Sequence, residues 1–405
     1  HTRYWRDWSS DVCSSDLGNY LDGVDESAYS SKDVKKLTVG IAEKALRYDL
    51  TVPFARFVVM HQNELSFPFR RYQIQPVWRA DKPQKGRYRE FYQGDADVIG
   101  SDSLLNELDL IELMNEVFSC LNLHVTLLIN NRKVLAGIAE VLNASDKMID
   151  ITVAIDKLDK IGIDKVKEEL RVKGLSEGAI ENLTPLLEFK GTTQEKVALL
   201  KSMLSQSEIG CKGIEELETM FRLTDYISFS HLNMQLDLTL ARGLNYYTGA
   251  IFEVKVNEPE INFSGSICGG GRYDDLTGIF GLKGMSGVGI SFGADRIYDV
   301  LEELKLFPAE ASQSTKVVIV NFGEVEATYA LTILRKLRSH QIAAEIYPDA
   351  AKLKKQFSYA DNREIPFVII AGSDEIAANT FVLKNMSSGE QKTISIHDDF
   401  NTLLN

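Results

Sequence analysis

Cysteine is scarce in this chain, and its spacing argues against two kinds of site. None of the four cysteines lies in a C-x-x-C pair, so neither a zinc site nor a disulfide framework is indicated. Long apolar runs and a secretory signal are also lacking, and such features would mark membrane or exported proteins. We therefore expect a cytoplasmic protein without a bound structural metal.

The common glycine-rich phosphate-binding motifs are absent too. The chain has no G-x-x-x-x-G-K-[ST] segment, and no G-x-G-x-x-G follows a strand and opens a helix. Both motifs hold phosphates through backbone N–H groups at a helix N-terminus. Phosphate chemistry in this protein would have to use other groups.

Positive charge is in deficit, with 45 Lys and Arg against 58 Asp and Glu, a net charge of −13. Residues 316–405 hold 10 basic and 11 acidic residues, a net of −1 that leaves −12 for the remainder. This C-terminal region should therefore repel a negatively charged polynucleotide less than the rest of the chain does. Arg335–Arg338 and Lys352–Lys355 are candidate phosphate contacts, although such runs are equally typical of solvated helix faces.

One arginine continues the apolar side of an alternating segment. Met234 to Leu240 alternates apolar and polar residues, and Arg242 is the next residue on the apolar parity. Alternating residues share one face of a strand, and a buried guanidinium costs on the order of several kcal/mol unless an anion meets it. A ligand anion is one interpretation. The alternative is that the strand ends at Ala241 and Arg242 turns to solvent, where arginine usually lies.

Two further alternating segments predict a hairpin with one polar face. The first carries Arg71, Gln73, Gln75 and Arg79, and the second carries Arg87, Arg89, Phe91, Gln93, Asp95 and Asp97. The seven residues between them, 80–86, are rich in turn formers. We expect the paired strands to form a ligand-binding wall. The alternative is the wet side of an antiparallel sheet.

Leu46 to Thr51 is predicted to be a third strand of this kind. Its polar face would present Arg47, Asp49 and Thr51. A helix is then expected to begin at Val52–Pro53, because a proline in the first turn leaves no N–H unsatisfied.

Glycine is concentrated near the end of the first 300 residues. Ten of the 28 glycines lie between Gly265 and Gly293, where the absence of side chains would let a ligand approach the backbone. Val288 to Gly293 is predicted to be a strand and Ala294 to Leu301 a helix. Arg296 would lie in the first turn of that helix, where a cation is disfavoured unless an anion lies in front of it.

Together these segments resemble the class II aminoacyl-tRNA synthetases and, among them, the histidyl-tRNA synthetase family. Val77 to Gln93 is similar to the second motif of the class, and Gly287 to Leu301 to the third. Leu240 to Tyr247 resembles the histidine-specific signature. Asn245 and Asp81 depart from the more usual Asp and Glu. These departures put supporting hydrogen bonds in doubt, but they remove none of the groups that would contact substrate.

The resemblance implies a role for each matching residue. For ATP, it implies that Arg79 holds the α-phosphate, Arg87 adds to the phosphate field, Arg296 holds the γ-phosphate end and Phe91 stacks on adenine. For histidine, it implies that Asp49, Thr51 and Gln93 meet the α-amino group, that Arg242 lies beside the α-carboxylate and the α-phosphate, and that Asp97, Tyr247 and Tyr273 surround the imidazole. Arg79 and Arg242 would be the catalytic residues.

The implied activity is ATP-dependent attachment of histidine to tRNA(His) through a histidyl-adenylate. ATP is a substrate, and Mg²⁺ would bridge its phosphate oxygens. Alignment of reactants and fixed cations would lower the barrier, without a protein nucleophile. Arg242→Ala is accordingly expected to lower adenylate formation roughly 100-fold or more.

The implied fold is α+β, with an antiparallel sheet core at 18–306 and a C-terminal α/β anticodon-binding domain at 316–405. Leu104–Leu121 is predicted to be a helix and Val125–Asn130 a strand. A helical insertion is expected at about 147–226, and the best linker is Phe307–Thr315. In the C-terminal region, strands are predicted at 316–320, 343–347 and 367–371, with a helix around Leu331.

The first seventeen residues are set apart from this fold. They contain Trp5, Trp8 and a repeated Ser-Ser-Asp, and they resemble translated sequencing adapter. The first class motif, which would precede the Asp49 strand and build a homodimer interface, is not recognisable. We therefore expect an N-terminally truncated enzyme that dimerises poorly and has little activity until that segment is restored.

One alternative function comes from outside the enzymes. The regulatory subunit of ATP phosphoribosyltransferase resembles the synthetase core and senses histidine without catalysis. It usually lacks the anticodon domain and the phosphate arginines. The presence of Arg79, Arg242, Arg296 and residues 316–405 favours the enzyme.

Overall fold

A computed structural model describes residues 45–241, 246–261, 265–307 and 315–400, with isolated positions at 27, 30, 31, 36, 37, 263, 403 and 404. The chain divides into two compact units, with the division between Leu306 and Phe307. Arg242 and Asn245 lie outside the described residues.

The first unit is built on a seven-stranded sheet. Its strands are β1 Phe69–Trp78, β2 Glu90–Ile99, β3 Val125–Asn131, β4 Leu232–Leu236, β5 Ala250–Val256, β6 Ser266–Tyr273 and β7 Gly287–Gly293. Their order is β1-β2-β7-β6-β5-β3-β4. Every neighbouring pair is antiparallel except β3 and β4. The predicted α+β class with an antiparallel sheet core is confirmed.

The predicted polar hairpin corresponds to β1 and β2. Gln75 pairs with Gln93, Gln73 with Asp95, and Arg71 with Asp97, so the polar residues of both strands share one face. This face is the inner one, whereas Tyr72 and Ile74 on the other face are 77% and 65% exposed. The polar face is therefore not the wet side of the sheet.

Helices surround the sheet and fill the segment between β3 and β4. They are α1 Thr51–His61, α2 Leu105–Cys120, α3 Arg132–Val141, α4 Met148–Ile155, α5 Leu158–Ile161, α6 Ile163–Val172, α7 Glu177–Glu188, α8 Thr193–Met203, α9 Glu208–Thr224 and α10 Ala294–Glu303. The predicted helix near 104–121 and strand near 125–130 are both present. α10 buries Ile297, Val300 and Leu301, as its apolar spacing predicts.

The second unit contains a five-stranded sheet. Its strands are β8 Val317–Ile319, β9 Ala344–Ile346, β10 Phe367–Ile370, β11 Thr380–Asn385 and β12 Gln391–Ser395, in the order β12-β11-β10-β8-β9. Its helices are α11 Glu324–Ser339, α12 Leu353–Asn362 and α13 Ser373–Ala378. The three predicted strands are β8, β9 and β10, and two more strands follow them. Apolar residues pack on both faces of this sheet.

Two strand predictions are wrong. Residues 46–50 are irregular, and helix α1 begins at Thr51. The segment is held instead by Trp78 N–H donating to Arg47 O at 2.9 Å and by a hydrogen bond from Arg47 to Gln75. β4 ends at Leu236, because Asp237 caps the following turn by accepting from Thr239 N–H at 2.8 Å. Leu238 and Leu240 are nevertheless buried, so the alternation correctly marks the inward side chains.

No helix in the described part of the chain combines the length and apolar content that crossing a membrane requires.

Candidate active site

The polar face of β1 and β2 borders a cavity of about 430 Å³, a size typical of small-ligand sites. Its lining includes nine residues predicted from the sequence: Asp49, Thr51, Arg79, Arg87, Phe91, Gln93, Tyr247, Tyr273 and Arg296. Asp97 and Arg242 are the two predicted residues outside this set. Asp97 lies behind the wall, and Arg242 is outside the described residues.

Strand β2 orders the groups along the cavity. Phe91, Gln93 and Asp95 alternate on the cavity side, so their Cα atoms are spaced by roughly 6.6 Å. On the neighbouring strand, Gly293 pairs with Gln93 and Ser291 with Asp95. The cavity therefore has a Phe91 end, next to the start of α10, and an Asp95 end.

Arginines gather at the Phe91 end. The Arg79 guanidinium lies 5.0 Å from the Phe91 ring centroid and 4.4 Å from the Tyr48 ring centroid, and its Nε donates to Tyr48 O at 3.3 Å. Arg296 donates from Nε to Gly86 O and from Nη1 to Ser266 O, both at 2.7 Å. These contacts fix two cations before any ligand arrives, as electrostatic stabilisation requires.

The loop between β1 and β2 is fastened to α10. Tyr88 donates its hydroxyl to Asp299, with O–O distances of 2.8 and 2.9 Å. Lys85 Nζ lies 2.7 Å from Glu303 Oε2. Next to the loop, Tyr92 N–H in β2 donates to Asp295 Oδ2 at 2.7 Å. The loop that carries Arg87 is thus held over the same end of the cavity as Arg296.

A buried cluster lies behind the Asp95 end. The Arg71 side chain is 4% exposed, with Nη2 2.9 Å from Asp97 Oδ2 and 3.9 Å from Asp95 Oδ2. Tyr273 donates its hydroxyl to Asp97 Oδ1 at 2.6 Å. Burial raises the pKa of Tyr273 well above its usual value, so this hydroxyl stays a donor. Burial also raises the pKa of Asp97, while Arg71 and Tyr273 oppose that shift.

The negative charges of the carboxylates nearer the cavity are less well balanced by protein groups than the charge of Asp97. Burial, followed by repulsion from Asp97, raises the pKa of Asp95 to about 7. Burial also raises the pKa of Asp49, against the hydrogen bond from Val52 N–H and the charges of Arg79 and Arg71. Among the described residues, the guanidinium of Arg71 interacts with three carboxylates, those of Asp49, Asp95 and Asp97. Such an excess of carboxylates suits a ligand that brings N–H donors.

The glycine cluster has a packing role at several positions, in addition to any role in admitting a ligand. A Cβ on Gly270 would lie 2.0 Å from Gly289 O, and one on Gly271 would lie 2.4 Å from Ala250 O. A Cβ on Gly289 would lie 2.0 Å from Asp97 Oδ1. These glycines let protein groups approach one another. Gly270 and Gly289 also line the cavity, as Gly269 and Gly293 do.

Comparisons with known proteins show the family of this chain. A family model described as histidyl-tRNA synthetase matches residues 24–297, and one described as anticodon binding domain matches residues 316–405. The chain is 57% identical over 381 residues to a histidine–tRNA ligase of Bacteroides fragilis, covering 94% of this chain and 83% of the relative. The chain belongs to the histidyl-tRNA synthetase family.

Further matches support the assignment to this family. A histidine–tRNA ligase of Christiangramia forsetii is 58% identical over 387 residues, which is 95% of this chain and 84% of the relative. A crystal structure of histidyl-tRNA synthetase from Nostoc sp. PCC 7120 has a TM-score of 0.75 and 34% identity, covering 87% of this chain and 81% of that one.

Three residues of the site were not assigned roles from sequence. Arg71 and Asp95 lie on the predicted polar faces, but alternation does not tell which residues reach the cavity and which reach a protein partner. Tyr246 lines the cavity, and its ring lies 6.4 Å from that of Tyr273 in an edge-on arrangement. The sequence signal for Tyr246 was its position next to Tyr247 in the segment that resembles the histidine-specific signature of the family.

The described residues include no group of three His, Cys, Asp or Glu side chains placed to hold a metal ion.

Stability should depend on the ionisation of Asp95. The groups that face it are Arg71, Asp97, Asp49 and Ser291. Because its pKa is raised to about 7, the folded protein keeps this proton to higher pH than the unfolded chain, whose Asp titrates near about 3.9. Folding stability is therefore lost as pH rises from about 4 to about 7. Asp95→Asn removes this loss.

We expect the stability advantage of Asp95→Asn over the parent to grow by on the order of 2 kcal/mol between about pH 5 and about pH 8. Urea unfolding at the two pH values measures this difference. The exposed Asp109→Asn serves as the control and should show none. An advantage independent of pH would contradict the ionisation assigned to Asp95.

Proposed function

We propose that this cavity activates histidine with ATP and transfers the histidyl group to tRNA(His). The observation that carries the proposal is the arrangement along β2. Fixed arginines lie at the Phe91 end, and carboxylate and hydroxyl groups lie at the Asp95 end, within one cavity. Relatives named histidine–tRNA ligase at 57–58% identity support it.

The reaction joins the two ends of the cavity. A carboxylate oxygen of histidine attacks the α-phosphorus of ATP, the bond to the β-phosphate oxygen breaks, and pyrophosphate leaves. A terminal ribose hydroxyl of tRNA then attacks the acyl carbon, and AMP leaves. Arg79, Arg87 and Arg296 would stabilise negative charge on the phosphates, with Mg²⁺ bound to the nucleotide, while Phe91 would stack on adenine.

Histidine would occupy the Asp95 end. We assign its α-amino group to Asp49, Thr51 and Gln93, and the surroundings of its imidazole to Tyr247, Tyr273 and Asp97. A site with buried hydrogen-bonding groups rejects analogues that lack the matching polar atoms. Arg242 retains its proposed position beside the α-carboxylate.

The second unit would bind tRNA. The match to an anticodon-binding model over 316–405 supports this role. Of the two candidate basic segments, Lys352–Lys355 is the better, because Lys352, Lys354 and Lys355 are exposed at the start of α12. In the other segment, Lys336 donates to Ile396 O and Asp398 O, and Arg338 to Ala344 O.

Histidine-dependent exchange of pyrophosphate into ATP tests the activity. The assay uses the 405-residue chain and an extended protein, in which residues 1–17 are replaced by the N-terminal segment of the Bacteroides fragilis relative. Exchange by the extended protein that requires histidine is expected. Histidine binding without exchange would favour the non-catalytic regulatory subunit, which has less support because Arg79 and Arg296 line the cavity and residues 316–405 are present.

We further propose that the extended protein is a homodimer. The outer face of the β1–β2 hairpin supports this, because Tyr72, Ile74 and Tyr92 are 77%, 65% and 50% exposed. The three residues share one face of the hairpin, where Tyr92 pairs with Pro76, two residues from Ile74. Exposed apolar patches of this kind mark interaction surfaces, and an obligate dimer buries roughly 2,000 Å² or more.

Ile74→Lys should therefore weaken dimerisation of the extended protein by about tenfold or more. The reason is that the lysine charge would be buried in the interface without a partner, and the free-energy cost of such burial is at least as large as a tenfold loss of affinity. Light scattering over a concentration series measures the effect. Ile279→Lys, at a site 73% exposed elsewhere on the first unit, is the matched control. Equal behaviour of the two variants would place the interface elsewhere.

A further inference from the structure

Three consecutive polar residues with buried side chains lie where β3 ends and α3 begins. They are Asn130, Asn131 and Arg132, which are 0%, 0% and 8% exposed. Buried polar groups in folded proteins nearly always have hydrogen-bond partners. The partners of these three side chains therefore show what the junction between β3 and α3 holds in place.

Two of these side chains hold the start of the signature segment, Leu240 to Tyr247, which resembles the histidine-specific signature. Asn130 Nδ2 donates to Leu240 O at 2.9 Å, and Arg132 Nη1 donates to Ala241 O at 3.2 Å. This backbone lies beyond the end of β4 and outside any strand. The two side chains thus supply hydrogen bonds that a neighbouring strand would otherwise supply.

Asn131, between these two residues, is directed towards other elements. Its Nδ2 donates to Glu216 Oε2 at 2.8 Å, and its Oδ1 accepts from Lys133 N–H at 2.9 Å as the N-cap of α3. These bonds join the start of α3 to α9. Neighbouring residues of the same buried run therefore hold different parts of the structure.

Stability alone does not explain a charged residue at position 132. Burial lowers the pKa of Arg132, and no carboxylate among the described residues opposes this shift. Arg132 is also the first residue of α3, where the helix dipole disfavours a cation. By contrast, the buried Arg272 pairs with Glu107 at 2.6 Å. A buried cation without a counter-charge is costly to keep, so the hydrogen bond from Arg132 to Ala241 is the better reason for this residue.

We propose that Asn130 and Arg132 are positioning residues for adenylate formation. By holding the carbonyl groups of Leu240 and Ala241, they set the point from which the next residue, Arg242, enters the active site. Neither residue is among those that line the cavity in the described structure. The inference rests on the proposed histidine-activating function, in which Arg242, outside the described residues, lies beside the α-carboxylate and the α-phosphate.

The far end of the signature segment has a separate anchor. Thr248 N–H donates to Arg272 O at 2.8 Å, and Thr248 Oγ1 donates to Asp274 Oδ2 at 2.7 Å. Tyr247, which lines the cavity, directly precedes Thr248. Loss of the bonds from the β3–α3 junction should therefore displace Arg242 more than Tyr247. The expected signature is a lower kcat with little change in the KM for histidine.

The test measures the kinetics of histidine-dependent pyrophosphate exchange by the extended protein. The variants are Asn130→Ala, Arg132→Met, which keeps most of the side-chain volume, and Arg132→Lys, which keeps a donor and the charge. Asn131→Ala is the matched control from the same buried run. Each substitution is made in the parent and in Arg242→Ala. Thermal unfolding checks that every variant is folded, and calorimetric titration measures histidine binding.

We expect Arg132→Met and Asn130→Ala each to lower kcat by about tenfold or more, since a misplacement of about 1 Å can cost on the order of 100-fold in rate. The KM for histidine should change by less than about threefold, and Arg132→Lys should recover part of the lost kcat. In Arg242→Ala the same substitutions should lower kcat by less than about threefold, because no guanidinium is left to misplace. Asn131→Ala should unfold at a lower temperature than the parent and keep its kcat.

Equal losses in the parent and in Arg242→Ala would show that these residues do not act through Arg242. A loss of kcat in Asn131→Ala as large as that in Arg132→Met would make the junction a general scaffold. Either result overturns the proposal, as does normal exchange by folded Arg132→Met and Asn130→Ala. In each case the extended parent still catalyses exchange, so only the positioning role falls. If the extended parent lacks histidine-dependent exchange, the proposed function is wrong, and this inference falls with it.

Discussion

Arg79→Ala should lower histidine-dependent pyrophosphate exchange by the extended protein by about 100-fold or more, the usual effect of removing one preorganised charge stabiliser. The side chain is held in the cavity by Tyr48 and Phe91 before substrate binds. Its contribution should therefore appear when charge builds up at the α-phosphorus. Truncation leaves the aromatic groups in place and removes the cation.

Histidine affinity should be nearly unchanged in Arg79→Ala, because the histidine groups lie towards the other end of β2. Exchange kinetics at varied ATP, together with calorimetric titration of histidine, separate the two effects. Arg70→Ala is the control: Arg70 is a neighbouring β1 arginine whose side chain is 66% exposed and pairs with Asp109, so exchange should be normal. Exchange within tenfold of the parent in Arg79→Ala would remove Arg79 from the phosphate site.

Gly270→Ala should destabilise the first unit by about 3 kcal/mol or more, at the upper end for overpacking. The added methyl group would lie 2.0 Å from Gly289 O and 2.7 Å from Ile290 Cα, and backbone atoms of a central strand cannot rotate away. The strands β6 and β7 would have to separate. Because both strands line the cavity, binding of histidine and ATP should weaken as well.

Gly94→Ala is the matched control within the same sheet. Its Cβ would lie 3.7 Å from Ile74 Cγ1 and 3.9 Å from Phe292 Cβ, which are ordinary contacts, so a change below about 1 kcal/mol is expected. Urea unfolding followed by circular dichroism compares the two variants. A Gly270→Ala protein as stable as Gly94→Ala would mean that β6 and β7 are further apart than described.

Alternation predicted the hairpin wall and the inward side chains, because a period of two is a property of the extended backbone itself. It failed at residues 46–50, where a short alternating run is held irregular by bonds to β1. A run of six residues carries too little periodicity to exclude that outcome, and the deciding contacts come from a strand more than twenty residues away.

A buried arginine on a strand does not by itself indicate a ligand anion of the kind expected for Arg242. Arg71 and Arg272 are both buried arginines on strands, and both have protein partners. Arg272 forms a two-point ion pair with Glu107, with N–O distances of 2.6 Å. Glu107 is 165 positions away in the sequence, so no local pattern could have distinguished a structural arginine from one that awaits a ligand anion.

The roles along β2 have a consequence for how this site can change. The repeat of the strand sets the spacing between the side chains of Phe91, Gln93, Asp95 and Asp97. A substitution can change one of these side chains and leave the positions of the others unchanged. Inserting or deleting a single residue in β2 would turn every later side chain of the strand to the opposite face of the sheet. The length of this strand is therefore under tighter constraint than any one of its side chains.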